Sequence, residues 1–241
     1  MITIVTIVYN DVNNIERTIK SVLHNKCEGV KYVIIDGQSS DGTLSVINKY
    51  KSDIDVIVSE KDNGIYDAMN KGWRFADEDD YVLFANSGDY LESSAVSTFM
   101  KSYSNSVDKA DIYHGLLNFF DDISFRYTQG RSSTMLEDKM IEHPSCFVRK
   151  KVFHTIGGFN TNYRFSADYD FMLRAKQHKF CFEFINSVIS NFDLSGVSSN
   201  NIAGALESLS IKKKLGLIMN ADYYLRVGQI RLTNIIKVII G

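Results

Sequence analysis

The chain reads as an α/β protein: a mostly parallel sheet flanked by helices, followed by a helical C-terminal tail. Three observations predict this. Hydrophobic, β-branched runs alternate with helical patterns four times before about residue 106. Two of those runs end towards a carboxylate, Val33-Ile34-Ile35-Asp36 and Leu83-Phe84-Ala85-Asn86-Ser87-Gly88-Asp89, and a third acidic cluster, Ala167-Asp168-Tyr169-Asp170, opens a later helix. In such a chain the carboxyl ends of the strands converge on one crevice where ligands bind. Three acidic sites delivered there suit a nucleotide, a metal and a base acting on a phosphorylated donor.

Residues 2–9, rich in Ile, Val and Thr, read as a buried strand. Asn10 and Asp11 are expected to cap a helix running to about Asn25, with Ile15, Ile19, Val22 and Leu23 on one face. A strand at 31–36, a turn at 37–42 and a helix from about Thr43 follow. The next strand, Ile54–Val58, leads through Glu60-Lys61-Asp62-Asn63-Gly64 into a helix near 65–76, and the strand Tyr81–Ala85 stops at the Asn86–Asp89 turn. Beyond residue 106 the alternation loosens. Asp111–Phe120 and Ser124–Gln129 read as strands near a sheet edge, joined by a short turn at 121–122. A strand around 145–148, a short helix, Gly157-Gly158, a helix at 168–179 and a strand at Cys181–Asn186 come next. After the Ser/Asn-rich stretch 195–201 the remainder is expected to be helical, and there is no internal repeat.

A chain of 241 residues, 44% hydrophobic and 23% charged, is ordinary for a globular protein with a full core. Its formal charge of −2 gives no reason to invoke nucleic acid, yet the segment from 202 onward carries +4, leaving −6 on residues 1–201. Cys27, Cys146 and Cys181 show no paired spacing, which argues against a zinc or disulfide framework and fits a reducing cytoplasm. The first residues lack the pattern of a signal peptide, and no apolar stretch reaches the roughly 18 residues of a membrane span. A cytoplasmic protein, at most associated with the inner face of the membrane, is expected.

Each motif has a functional and a structural reading. Asp36, ahead of Gly37-Gln38-Ser39-Ser40-Asp41-Gly42-Thr43, can accept the imide N–H of uracil, with Thr6, Val8 and Tyr9 walling the base pocket; alternatively it closes a turn while Asp41 caps the next helix. Asp62 lies in the polar loop, and Asp67, Asn70 and Lys71 fall at helical spacings of three and four. They can hold ribose or diphosphate oxygens, or form a solvated helix face. Asp89 is the best metal candidate, since a divalent cation bridging phosphates needs only one or two protein oxygens. The Asp77-Glu78-Asp79-Asp80 run precedes its strand and so lies at the wrong end. His143 can meet phosphate, metal or acceptor; the following Pro144, the one proline, demands an extended or turn-like chain and admits a cis bond. Asp168 and Asp170 either stabilise a helix N-terminus or supply a general base.

In this order, Thr6–Asn10, Ile34–Thr43, Glu60–Gly72, Leu83–Asp89, His143-Pro144-Ser145, Gly157-Gly158-Phe159 and Ala167–Arg174 resemble the family 2 glycosyltransferases of the GT-A fold, particularly bacterial enzymes of surface-polysaccharide assembly. The resemblance covers about residues 1–190. It implies inverting transfer from a nucleotide-sugar donor, UDP-linked by preference, to a hydroxyl of a saccharide or lipid-linked saccharide. It also implies a catalytic domain over 1–201, divided near 106 into nucleotide-binding and acceptor parts, and a tail over 202–241. Thr6 and Asp36 match nucleotide-contacting positions, Asp168 matches the catalytic base, and Asp89 matches the last acid of the Asp-x-Asp motif that holds Mn²⁺ or Mg²⁺. Asn86 and Gly88 replace the motif's other acids.

Other classes fit less well. The first turn, Tyr9-Asn10-Asp11-Val12-Asn13-Asn14, lacks the glycine fingerprint of a dinucleotide-dependent dehydrogenase, and no Gly-rich basic loop of a nucleotidyltransferase stands near the N-terminus. A non-catalytic nucleotide- or carbohydrate-binding module is the alternative. If residues 222–240 form one helix, Leu225, Leu232, Ile235, Ile236 and Ile239 gather on one side, with Arg226 and Lys237 opposite and Arg231 at the margin. That face suits either an anionic membrane or packing on the domain or a second subunit.

Overall fold

The computed structural model describes residues 1–121, 123–194 and 202–240, with the backbone alone for 233–240. Strands β1 (Ile2–Val8), β2 (Val30–Asp36), β3 (Val56–Ser59) and β4 (Tyr81–Phe84) lie in the order β3-β2-β1-β4, each neighbouring pair parallel. Register sets Val8 against Asp36, Asp36 against Ser59 and Val5 against Phe84, so the carboxyl ends finish along one edge.

Side-chain alternation along these strands serves two cores, because both faces are covered. Ile2, Ile4, Val8, Tyr32, Ile34 and Leu83 pack with residues of α1 (Ile15–Asn25), α2 (Thr43–Asn48) and α4 (Ala95–Asn105). Val5, Ile7, Val33, Ile35, Val82 and Phe84 pack with α3 (Ile65–Gly72), α5 (Lys150–Ile156) and α6 (Ala167–Gln177). Gly72 lets α3 lie close on β1: a Cβ there would stand 2.3 Å from Val5 Cγ1.

The sheet continues without a break past residue 106. β8 (Cys146–Arg149) runs antiparallel to β4, and β6 (Ile112–Asp121) lies between β8 and β9 (Phe182–Asp193). The expected hairpin partner β7 (Ser124–Gln129) pairs with β6, and its side chains are largely exposed. β5 (Tyr90–Leu91) closes the other end against β9. β6 itself is an interior strand; the edge character belongs to β7.

Several boundaries differ from expectation. The first helix starts at Ile15, not at Asn10 or Asp11. Asn10 takes φ 48°, and its side chain accepts the Ser40 N–H at 2.8 Å, while the Asp11 carboxylate accepts the Ser87 hydroxyl at 2.6 Å. These residues tie loops together across the sheet edge. The third helix ends at Gly72 and passes into a tight turn at Trp73–Phe75. β5 and α4 occupy a segment where the sequence pattern predicts no element. β9 runs seven residues beyond the expected Asn186, because its parallel pairing with β6 resumes after register shifts between His114 and Leu117. No cis peptide occurs among the described residues, so Pro144 enters a single helical turn, His143–Ser145, with a trans bond.

The tail is helical as expected: α7 (Ile202–Lys214) buries Leu209, Ile211 and Lys212, and α8 (Asn220–Ile240) follows. The stretch 195–201 and the side chains of Ile235, Ile236, Lys237 and Ile239 lie outside the described residues. Among the described residues no helix is long and apolar enough to cross a membrane.

His114 on β6 is fully buried beside Phe184, with neither ring nitrogen hydrogen-bonded, and burial pushes its pKa down to about 4 from an ordinary 6.5. Between those values the unfolded chain takes up a proton that the folded chain refuses, so stability is present above pH 6.5 and falls as pH drops towards 4. Urea denaturation at pH 7 and pH 4 should show wild type losing on the order of 3 kcal/mol more than His114→Phe.

Candidate active site

A cleft of about 910 Å³ opens at the carboxyl ends of β1 and β4, between the loop 62–67, the turn 86–89, the segment 161–165 and the end of β9. Its floor is an extension of the β1 ladder. Beyond the strand ends, Gly37 N–H donates to Val8 O and Ser87 N–H to Ile7 O, each at 2.9 Å. Val8, Tyr9, Asp62, Asp67 and Asp89 line this cleft. Tyr9 leaves most of its ring exposed at the mouth.

Asp89 is only 5% exposed, and burial drives its pKa up to about 8, with the neighbouring Asp193 carboxylate adding to the rise. Its Oδ1 accepts the Asp193 N–H at 3.3 Å, and Arg17 bridges Gly88 O at 2.5 Å and Asp193 Oδ2 at 3.3 Å. Asn86 Oδ1, in the same turn, is buried and has no hydrogen-bond partner. A desolvated carboxylate and an orphaned amide oxygen on one cleft wall, with Asp193 alongside, form a hard-oxygen donor set that fits Mg²⁺ or Mn²⁺ sharing its remaining ligands with phosphates and water. Among the described residues no group of three or more His, Cys, Asp or Glu side chains could hold a metal, so a bound ion would depend on such sharing. Asp193 lines the cleft beside Asp89 and is not among the residues the sequence singles out. The signal lay in a strand longer than its apolar run suggested.

The other carboxylate stands at α6. Asp168 Oδ1 accepts the Tyr66 hydroxyl at 3.1 Å and the Tyr169 N–H at 2.9 Å. Tyr66 has a second acceptor, Phe165 O at 3.0 Å, and one proton to serve both. Burial and the Asp168 charge hold Tyr66 neutral, far above its ordinary range. Tyr66 and Phe165 line the cleft; Asp168 and Phe165 line a second cavity of about 640 Å³ under α7 and α8. Asp168 therefore stands where the two spaces adjoin. Asp170 does not share this position: it is buried and clamped by Arg174 at 2.7 Å, which also holds Ile156 O and Gly158 O. Asp170 is a structural residue.

The segment before Asp168 is fixed from the tail. Glu207 on α7 accepts the N–H groups of Arg164, Phe165 and Ser166 at 2.8, 2.7 and 2.8 Å, and Ser166 Oγ reaches Gly204 O and Ser208 Oγ. One carboxylate thus satisfies three donors ahead of α6.

Other expected residues are placed elsewhere. Thr6 is buried mid-strand with its hydroxyl 3.1 Å from the Tyr32 hydroxyl. Asp36 is fully buried, accepting the Ser39 N–H and the Ser59 hydroxyl, which matches its turn-closing alternative; neither residue reaches the cleft wall. Lys71 pairs with Glu60 at 2.8 Å and with Asp67 at 3.9 Å, so these two keep the expected common face, while Asn70 turns from it to bridge α3 to Phe159 and the Trp73 indole. His143 lies under the cleft between Phe84 and Phe159, its Nε2 unpartnered and its pKa lowered by burial. It lines neither cavity.

The family model for glycosyl transferase family 2 matches residues 3–170, and the chain belongs to that family. A PGL/p-HBAD biosynthesis glycosyltransferase of Mycobacterium tuberculosis is 27% identical over 209 residues, spanning 82% of this chain and 79% of the relative. A hyaluronan synthase of Pasteurella multocida is 30% identical over 212 residues, 86% of this chain but 21% of the synthase. Among solved structures, S. aureus TarS in complex with UDP-GlcNAc superposes with a TM-score of 0.67 at 12% identity, covering 95% of this chain and 71% of that one. The mannosyltransferase PcManGT of Pyrobaculum calidifontis, in complex with GDP-Man and Mn²⁺, gives 0.66 at 16% identity, covering 95% and 68%. The fold is the expected GT-A arrangement, and the chain is a glycosyltransferase. Because Glu207 sets the backbone that presents Asp168, Glu207→Ala should lower turnover by about tenfold to a hundredfold while changing the donor KM little, as measured by steady-state transfer kinetics on folded protein.

Proposed function

We propose that the chain moves a sugar, with inversion, from a nucleotide-sugar donor to a hydroxyl of a saccharide or lipid-linked saccharide in surface-polysaccharide synthesis. The observation that carries this reading is the placement of Asp168 at the junction of two cavities, one of which holds Asp89. A donor cleft and an acceptor cavity that meet at a carboxylate suit a single displacement. UDP is the preferred nucleotide: its base can lie over Val8 and beside the exposed Tyr9 ring. Asp62, which does line the cleft, stands in as imide acceptor where Asp36 was expected. UDP-GlcNAc and GDP-Man, the ligands of two structural neighbours, are both nucleotide sugars.

The diphosphate would lie against the turn 86–89, with the sugar towards Tyr66 and Phe165. Asp89, Asn86 Oδ1 and Asp193 would hold Mn²⁺ or Mg²⁺, whose charge favours departure of the diphosphate. An acceptor hydroxyl entering from the second cavity attacks the anomeric carbon from the side opposite the leaving phosphate. As the new C–O bond forms, Asp168 takes the hydroxyl proton. The old C–O bond breaks with its electron pair passing to the nucleoside diphosphate. Tyr66 supports this step by holding Asp168 Oδ1 and can transfer its hydrogen bond to Phe165 O once Asp168 is protonated. The tail supplies a further proposal: Leu225 and Leu232 are exposed on α8, and such a face can rest on anionic lipid where a lipid-linked acceptor is presented.

Asp168→Asn should keep UDP affinity but lose transfer by roughly three orders of magnitude; near-wild-type transfer would remove Asp168 from the base role. Calorimetry should show Asp89→Ala losing Mn²⁺-dependent UDP binding by about tenfold or more. Release of free nucleoside diphosphate that rises on adding acceptor separates this reading from a non-catalytic binding module.

A further inference from the structure

The cavity beneath α7 and α8 is lined by a buried ammonium that makes no direct ion pair among the described residues. Lys212 is only 6% exposed, yet no ion pair to its ammonium is formed among the described residues. Its Nζ donates to one backbone carbonyl, Asp138 O at 2.9 Å, and stands 5.7 Å from the Tyr169 ring centre. An ammonium has three donors, and the Asp138 and Asp222 carboxylates act on this one only from beyond ion-pair distance, which leaves room for a ligand to complete it. Burial also holds its pKa below the ordinary lysine value.

The rest of the wall carries both signs: Lys139 and Arg226 line it together with the carboxylate residues Asp138 and Asp168. Arg226 lines the same cavity from α8 while ion-paired with Asp222 at 3.0 Å, and Lys139 lines it as well. Asp168 borders the cavity too, with one oxygen held by the Tyr66 hydroxyl and the Tyr169 N–H, and it forms no ion pair with Lys212. The space, about 640 Å³, accommodates a sugar-sized group with an anionic substituent.

We infer that this cavity is an anion-recognising acceptor subsite, in which Lys212 and Arg226 bind a phosphate group carried by the acceptor while its hydroxyl faces Asp168. The inference rests on the donor and base assignments above. The phosphate belongs either to a phosphorylated saccharide or to a lipid phosphate, and the two are distinguished by the probe that binds. Lys212 and Arg226 are binding residues here; neither acts on the reacting atoms.

Isothermal titration of the full chain, saturated with UDP and Mn²⁺, tests this with three probes: a hexose 1-phosphate, sub-micellar dodecyl phosphate and an uncharged methyl hexoside. At least one phosphate probe should bind wild type more tightly than the uncharged sugar does. Lys212→Met should weaken that binding by about tenfold and Arg226→Gln by about threefold, with UDP affinity unchanged in both. Hexose 1-phosphate binding alone assigns the subsite to a saccharide phosphate, and dodecyl phosphate binding alone to a lipid phosphate. Failure of both phosphates to bind, or equal affinity in wild type and Arg226→Gln, overturns the inference, and the second comparison stands even if Lys212→Met does not fold. Should UDP itself not bind, the donor assignment fails, while Lys212-dependent phosphate binding measured without UDP still sustains the anion subsite.

Discussion

The site depends on β1. Every residue from Ile2 to Val8 is buried, and the strand is paired in parallel on both sides, so neither its height nor its register can drift without exposing an apolar face. Its ladder then continues past the strand ends into both acidic loops, through Gly37 N–H to Val8 O and Ser87 N–H to Ile7 O. The turn carrying Asp89 is therefore placed by backbone bonds to the central strand. Thr18 on α1 completes the hold: its hydroxyl donates to Asp89 O at 2.6 Å and accepts the Gly88 N–H at 3.2 Å.

That rigidity explains how carboxylates of one chemical type acquire different work. Asp36 has its charge absorbed by Ser39 and Ser59 and shapes the turn. Asp170 has its charge absorbed by Arg174 and fixes the loop at 156–158. Asp89 is desolvated, with Arg17 reaching its turn through Gly88 O, and its raised pKa marks a carboxylate short of positive charge. Asp168 remains accessible, held by donors that leave part of its carboxylate facing a cavity. Incomplete satisfaction by the protein distinguishes the two assigned chemical roles from the two structural ones.

The sequence made the architecture legible because period-two burial and helix-forming spacing are local. The four parallel strands, the β6–β7 hairpin and the helical tail all follow from patterns within single segments. It also pointed to Asp89, which lines the cleft at the strand ends, and to Asp168, which lies in the first turn of α6 and lines the second cavity. Thr6, Asp36, Asn70 and Lys71 were harder to place, because a polar residue near a ligand-binding edge looks the same whether its partner is a substrate or a distant loop. Tyr66, Asp193 and Glu207 escaped notice for the complementary reason. Their roles arise from contacts 102, 104 and about 42 residues away, as with Tyr66–Asp168, Asp193–Asp89 and Glu207–Phe165.

Those distant contacts change what the tail is. A surface appendage would leave the segment 164–166 to find its own donors and acceptors, and three adjacent N–H groups ahead of a helix would face water. Here Glu207 takes all three, and Ser166 adds side-chain contacts to Gly204 and Ser208. The backbone that presents Asp168 is consequently anchored to α7, while α7 and α8 also roof the cavity that Asp168 borders. The position of Asp168 and the shape of the space beside it are set by the same pair of helices. A change in how those helices pack would therefore act on both at once, and through Arg164 and Phe165, which Glu207 holds and which line the first cleft, it would reach that cleft as well.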